Sequence, residues 1–407
     1  MLVGFNTRPL AYSLKSAGYQ VYAVDFFGDL DLYPNVKDCS IVIKKIGANY
    51  ESLKESYSTF LAKFTIEMLK IHPNLDFLII GSGLDDAFDE RASIIREIQN
   101  KNYKIINLNN DLETIRISRD IESIYNILTE LNYKVPGAIS YDKIKFNQDI
   151  KQYPFIFKKK TGSGGINIYK IESKENFISI LNLLKVRSFN PKDWLVEDFI
   201  EGIPVSCTTI SNGKESKVIS VNRQIIGEKY LNSPKEFMYC GNIVPANLFK
   251  NDENLIREIS ISLVNKLKLK GINGFDFVLR NHYPYLMEIN PRIPGSISAS
   301  ESALNLNLLD LHIQSFFPNK WNDIKMAVGD LTMEGYTTKL IFFAPKEIDR
   351  NLIPKINSLN YIHDKSEPIR NILKNEPICS VLYKSKTFPD SYFGALKIVE
   401  KIYKIID

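Results

Sequence analysis

Asp276, Glu288, Asn290 and Arg292 stand in one short stretch, GINGFDFVLRNHYPYLMEINPR, residues 271–292. Two alternating runs, 274–279 and 285–289, flank Arg280-Asn281-His282-Tyr283-Pro284, which predicts an antiparallel hairpin turning near His282. In that register Asp276 lies opposite Glu288, while Asn290 and Arg292 follow Glu288 at every second residue, so strand alternation sets all four on one face. Phe275, Phe277, Met287 and Ile289 are expected on the other face, as core. Two carboxylates directly opposed across a strand pair repel, and a cation resolves the conflict. Two carboxylates and an amide oxygen are hard ligands of the kind that hold Mg²⁺ (or Mn²⁺) while the ion bridges to nucleotide phosphates. The competing reading is a solvated sheet face carrying ordinary acids. Asn290-Pro291-Arg292, one residue beyond Glu288, counts against it, because Arg292 puts positive charge at the end of a row of oxygen ligands, as a phosphate or acyl-phosphate site needs.

The elements that must position this hairpin can be read in chain order. Residues 1–112 alternate strand and helix signals, with strands near 2–5, 20–25, 76–80 and 103–107 and helices near 9–17, 51–71 and 89–100, which predicts an open parallel α/β unit. Ligands bind beyond the carboxyl ends of such strands, and here those ends carry Asn6-Thr7-Arg8, residues 25–29 and residues 81–86. Helix capping and loop stabilisation are the plain alternative for Arg8, Asp25 and Asp85. GFNTRPLA lacks the GxGxxG fingerprint, so a dinucleotide-binding Rossmann domain is not indicated.

One helix is expected over 114–131, with Arg116, Arg119 and Asp120 on its first turns. Residues 154–160 then read as a strand running into Thr161-Gly162-Ser163-Gly164-Gly165, after which 166–171 returns. A glycine-rich turn between two strands is a flap whose backbone N–H groups can close over phosphates, with the Lys158 head turned toward them and Phe155 and Phe157 turned away. A purely structural hairpin turn is the alternative. The Gly-Lys-Ser/Thr ending and following helix of a P-loop are absent. Trp194–Gly202, WLVEDFIEG, reads as a strand edge able to offer an adenine ring backbone groups and a carboxylate, or else as an edge strand with its charges in water. Residues 223–247 read as an irregular substrate loop or lid, and 252–270 as an amphipathic helix.

Composition narrows the class. A chain of 407 residues is too long for one ordinary core, 44% apolar content is that of a folded soluble protein, and a net charge of +5 spread along the chain implies neither nucleic acid nor a membrane as partner. The four cysteines (Cys39, Cys207, Cys240, Cys379) form no CxxC pair, which points to neither a disulfide framework nor a zinc site and fits a reducing cytoplasm. No signal peptide is read at the start, and no run approaches the ~20 apolar residues of a membrane span.

Flap lysine and glycines, then Glu197-Asp198-Phe199-Ile200-Glu201-Gly202, then Asp276 and Glu288-Ile289-Asn290-Pro291-Arg292: in this order and spacing the chain resembles the ATP-grasp superfamily of ATP-dependent ligases over roughly residues 1–320. Its N-terminal unit looks like the domain preceding that module in biotin carboxylase and carbamoyl-phosphate synthetase. The resemblance implies a mixed α/β and α+β architecture: an open parallel α/β domain (1–112), a two-subdomain ATP-grasp module (113–320, lid about 150–200) and a small C-terminal α+β cap (321–407). It implies that Lys158 contacts ATP phosphates beneath Gly162, Ser163, Gly164 and Gly165, that Glu197 accepts from the adenine amino group with Asp198, Phe199 and Ile200 alongside, that Asp276, Glu288 and Asn290 hold Mg²⁺, and that Arg292 holds the transferred group.

There are departures. The family usually has Asp-Lys where this chain has Ser118-Arg119-Asp120, so Arg119 stands in for a phosphate-binding lysine. Pro204 occupies a position where a ribose-binding acid is usual, leaving Glu201 as substitute, and Arg223 is assigned a further phosphate or substrate contact. Residues 335–344 read as a strand ending the module, with Lys339 either aimed at the substrate or, as the plainer reading, a surface lysine. NTRPLA followed by AVDFFGDLDL is also similar to ATP-grasp proteins of methanogens and methylotrophs described as predicted carboligases. The implied activity is activation of a small-molecule carboxylate as an acyl phosphate and its transfer to an amine, with ADP and phosphate released, in cofactor biosynthesis. Bicarbonate activation and a non-catalytic ATP-binding sensor or subunit are the alternatives. Oligomeric state stays open, a homodimer being the commonest option.

Overall fold

A computed structural model describes residues 1–144, 152–162, 164–186, 189–329 and 333–407. The first sheet is five-stranded and parallel throughout: β1 (Leu2–Gly4), β2 (Tyr22–Asp25), β3 (Asp38–Ile41), β4 (Phe77–Ile80) and β5 (Ile106–Asn107), in the order β3-β2-β1-β4-β5. Its strands are short apolar runs such as FLII, which suit a sheet covered on both faces. β3 lies in what the sequence presents as a long connection; its apolar residues run straight into the helix Val42–Ile46, so periodicity alone does not separate the two.

The second sheet is antiparallel, with β6 (Ala138–Ser140), β7 (Phe155–Lys159), β8 (Ile168–Ile171) and β9 (Trp194–Asp198) in the order β6-β9-β7-β8. Phe155, Phe157 and Trp194 from its strands pack with Phe177 of the helix Lys174–Lys185, the apolar half of the alternation that leaves Lys158 on the opposite face.

The third sheet has eight strands: β10 (Ile203–Asn212), β11 (Ser216–Ile226), β12 (Tyr239–Val244), β13 (Lys270–Arg280), β14 (Tyr283–Asn290), β15 (Tyr336–Phe343), β16 (Ile362–His363) and β17 (Pro377–Ser385), in the order β14-β13-β10-β11-β12-β15-β17-β16. One face is covered by the amphipathic helix Lys250–Leu267, whose Ile256, Ile259 and Leu263 pack on Val205, Phe275 and Phe277, and by the C-terminal helix Phe388–Ile406. β15, β16 and β17 continue this sheet, so the C-terminal residues share its hydrogen bonding rather than forming a sheet of their own.

Three expectations change. The helix expected over 114–131 is two, Leu112–Arg119 and Ile121–Glu130, broken at Asp120, whose backbone is extended and whose carboxylate accepts from the Glu122 amide. Residues 223–247 are not irregular: β11 continues to Ile226 and β12 follows. A Cβ at Gly241 in β12 would lie 2.0 Å from the Lys339 carbonyl oxygen, so the glycine that reads as a loop signal is a requirement of close strand approach. Met287 is not in the core. A bulge shifts the pairing between Asp276 and Phe277, so that Phe277 faces Leu286, which is buried, and Met287 is left half-buried.

His312 joins the first and third sheets. Its Nδ1 accepts from the Ile272 amide and its Nε2 lies 3.0 Å from the Leu108 carbonyl, so the buried ring must be neutral. Burial pushes its pKa down to about 4. The folded value lies below the unfolded one, so the unfolded chain binds the extra proton, and stability present above about pH 6.5 is lost as the pH falls toward 4, by about 3 kcal/mol in all. The check is denaturant unfolding of wild type and His312→Gln between pH 4 and 7. The difference between the curves isolates the imidazole from Asp25, whose pKa burial raises to about 6 and which acts in the opposite sense.

Candidate active site

The hairpin β13–β14 closes through Asn281 and His282, both with positive φ, a two-residue turn whose backbone suits strand twist. Its register places Asp276 opposite Glu288 and Gly274 opposite Asn290. Cross-strand pairing carries the Asp276 face across the sheet, through Ser206 of β10 to Asn222 of β11. Asp276 accepts from Gln224 Nε2 at 2.8 Å and Asn290 Nδ2 at 2.9 Å, and has no cationic partner within ion-pair range among the described residues. Burial raises its pKa to about 7, with the Glu288 charge adding to the shift. Glu288 pairs with Arg119.

Arg119, nearly fully buried, ends the first of the two broken helices. Its guanidinium forms a fork on Asp86, with Nε to Oδ1 at 2.8 Å and Nη2 to Oδ2 at 3.0 Å, and also reaches Glu288 and the Gly162 carbonyl. Asp86 in turn accepts from the Gly162 amide at 2.6 Å. Burial opposes the charge on Arg119, but Glu288, Asp86 and Asp85 outweigh it and keep the guanidinium protonated. One cation thus ties together the opposed acids, the end of the first sheet and the start of the glycine-rich loop. Arg292 is held by Asp85; burial works against that carboxylate, yet Arg292 and Arg119 beside it bring its pKa down to about 2.

The second centre lies in the second sheet. Lys158 Nζ is 2.8 and 2.9 Å from the two Glu197 oxygens, and the Tyr125 hydroxyl donates to Glu197 at 2.7 Å. Glu197 is 3% exposed, which answers the question left by its strand: its carboxylate does not face water. Asp198 accepts from the Gly137 amide, Phe199 lies under the Lys170 ammonium at 4.9 Å, and Ile200 and the exposed Glu201 follow beyond the strand end. Gly162 is exposed with φ of 142°, Gly164 has φ of 69° with open space where a Cβ would go, and a Cβ at Gly165 would meet the Phe237 carbonyl at 1.9 Å. Ser163 lies outside the described residues.

Arg223 is a correction. Strand alternation sets Asn222 and Gln224 on the Asp276 face, so Arg223 points to the other side of the sheet, where its guanidinium lies 5.9 Å from the Phe388 ring. Its neighbour Gln224 reaches the acids instead. Lys339 is also not a surface residue but a buried one on the Asp276 face, opposite Asn242. Asp86 and Tyr125 are further members that the sequence reading did not single out. Tyr125 carries a hydroxyl on an otherwise apolar helix face beside Ile121, Ile124 and Leu128, and a buried hydroxyl needs a partner.

The donor set fits a hard divalent cation. Mg²⁺ is commonly held by one or two carboxylates plus waters and phosphate oxygens, and Asp276, Glu288 and Asn290 supply that set on one face once the Asn290 amide presents its oxygen, an assignment set by hydrogen bonding rather than by atom type. No group of three or more His, Cys, Asp or Glu side chains suited to a metal occurs among the described residues, so a softer, all-protein site is not indicated.

Truncation of Lys158 tests both its pairing with Glu197 and the ATP-phosphate contact that the resemblance implies. Lys158→Ala leaves Glu197 buried with only the Tyr125 hydroxyl, which costs about 3 kcal/mol as for other broken buried pairs. The KM for ATP is expected to rise at least about tenfold in steady-state assays.

Residues 120–296 match the family model of the ATP-grasp domain. The chain is 28% identical over 396 residues to an uncharacterized protein of Methanocaldococcus jannaschii, covering 94% of this chain and 88% of that one. It is 21% identical over 319 residues to the arginine-specific carbamoyl phosphate synthase large chain of Bacillus subtilis, covering 77% of this chain but 30% of that longer one. In fold it is similar to the L-amino acid ligase of Bacillus licheniformis, with a TM-score of 0.70, 14% identity, and 98% and 96% of the two chains covered. No helix among the described residues is long and apolar enough to cross a membrane.

Proposed function

We infer that this chain, whose residues 120–296 form an ATP-grasp domain, is an ATP- and Mg²⁺-dependent ligase that activates a small-molecule carboxylate as an acyl phosphate and passes it to an amine. The observation that carries the reading is the opposition of Asp276 and Glu288 on one sheet face, with Arg119 and Arg292 beside them. An ordinary sheet avoids two facing acids. The preceding α/β domain is taken as 1–112, the module as 113–320 and the C-terminal region as 321–407.

Glu197 with Tyr125 and the segment 198–201 forms the adenine end, and Lys158 and Arg119 the phosphate end beneath Gly162, Gly164 and Gly165. When bound, Mg²⁺ supplies charge neutralisation at the phosphates. Arg119 and Arg292 stabilise the charge that develops as the substrate carboxylate attacks the γ-phosphorus in line, and positioning rather than a protein nucleophile carries the rate. Docking of Gly162 on Asp86 and Arg119 brings the glycine-rich loop over the acids and helps exclude water, which would otherwise hydrolyse an acyl phosphate.

The test is ADP release from the purified chain with ATP and Mg²⁺ against carboxylic acids crossed with amines, with mass detection of the product. A product carrying a new amide bond supports the reading. ADP release with bicarbonate and no organic acid redirects it to a carboxylase-like activity, and ATP binding without turnover across the panel overturns it in favour of a sensor or subunit.

A further inference from the structure

The face that carries Asp276 has a second polar centre farther along the sheet. Gln224 of β11 pairs across to Asn242 of β12, and Asn242 to Lys339 of β15, so these side chains continue one row. Lys339 is 5% exposed. Its ammonium donates to the Gly295 carbonyl at 3.1 Å and forms no ion pair among the described residues. Asn242 is fully buried, and its Oδ1 accepts from the Tyr239 hydroxyl at 2.6 Å, while its Nδ2 has no partner among the described residues. Two sets of buried donors are therefore only partly used.

Facing them are the carboxyl ends of β1 and β2. Arg8 is bound to Asp364 at 2.7 and 2.8 Å and lies 3.5 Å from Asp31. Asp31 also accepts the amides of Asp364 and Lys365, Asp364 also takes the Ser380 hydroxyl, and Asp25 is engaged by Thr7 and Gly28. Only Asp29 of these four acids accepts no hydrogen bond among the described residues. Burial together with Asp364, Asp25 and Asp31 pushes its pKa well up, and burial pushes that of Lys339 down although Asp364 and Asp29 act against it. Four acids thus face two cations, with one carboxylate unanswered.

The unused groups specify a ligand by their chemistry. The Lys339 ammonium and the Asn242 amide need an acceptor, best an anion, and Asp29 needs a cationic donor. A metal ion does not meet this requirement, since the neighbouring carboxylates are already engaged and no metal-suited cluster occurs here among the described residues. β10, β11 and β12 separate β13 from β15, so this centre lies on the order of 15–20 Å from Asp276 along the sheet.

We propose that Asp29, Lys339 and Asn242 form a recognition pocket for a zwitterionic, amino-acid-like end of an elongate substrate, with its ammonium on Asp29 and its carboxylate on Lys339 and the Asn242 amide. The proposal rests on the ligase reading and names the substrate class for the same cleft. It is tested by ADP release from the full chain with ATP and Mg²⁺ over a panel of free amino acids and short peptides, each also in N-acetylated and C-amidated form. At least one free zwitterion is expected to stimulate release, blocking either end to reduce kcat/KM at least tenfold, and Asp29→Asn and Lys339→Gln each to raise its KM at least tenfold with the KM for ATP unchanged. Equal use of blocked and free forms, or an unchanged KM in both variants, overturns the pocket. So does a silent panel from a protein that still releases ADP with another carboxylic acid and amine. No ADP release with any acid and amine, although ATP and Mg²⁺ protect the protein against thermal unfolding, overturns the ligase reading instead.

Discussion

Glu288→Gln is expected to lower substrate-dependent ADP release on the order of 10³-fold while leaving the fold intact. The amide keeps the shape of the side chain but removes one of two anionic ligands. It also removes the like charge that, after burial, raises the pKa of Asp276, so that carboxyl moves back toward its ordinary range. Stability should change by no more than about 1 kcal/mol, because Glu288 is partly exposed and its partner Arg119 keeps its fork on Asp86. A coupled ADP assay across a Mg²⁺ titration, with thermal unfolding of the same preparation, gives both quantities. Activity within tenfold of wild type at all Mg²⁺ concentrations would remove the metal assignment.

The hairpin was legible because its information is local: alternation and a two-residue turn fix which acids face each other, and the structure has Asp276 opposite Glu288. Legibility failed where a side chain's direction depended on an element that the sequence punctuates misleadingly. Gly227, Pro234, Gly241 and Pro245 suggest a loop, yet Gly241 is a close-approach glycine inside β12 and β11 runs on to Ile226. Had β11 been extended, alternation from Asn222 would have turned Arg223 away and brought Gln224 to Asp276. Lys339 illustrates the second limit. Nothing local distinguishes a lysine on an exposed strand from one buried in the interior of an eight-stranded sheet, because the strands that bury it, β12 and β17, come from distant parts of the chain. Asp86 is the same problem in a loop: its role exists only once Arg119 and Gly162 are brought to it.

Arg119→Ala has the other large expected effect, and comparison with Arg119→Lys separates charge from geometry. The guanidinium satisfies Asp86, Glu288 and the Gly162 carbonyl together, and it is one of the cations that hold Asp85 ionised. Alanine leaves these buried and half-buried acids facing one another with Arg292 and Arg91 as the remaining cations, a loss of about 3–5 kcal/mol by the measure of other broken buried pairs. It also detaches Gly162 from one of its two anchors, so ATP use should fall with stability. Lysine restores the charge but not the planar fork, and one ammonium cannot meet Asp86 at two points while reaching both Glu288 and Gly162. The expected result is recovery of most of the stability, to within about 1–2 kcal/mol of wild type, with a KM for ATP still raised about tenfold. Chemical denaturation and steady-state kinetics on the two variants decide it. If alanine leaves both quantities near wild type, Arg119 is a bystander, and the coupling of the opposed acids to the glycine-rich loop must run through Asp86 alone.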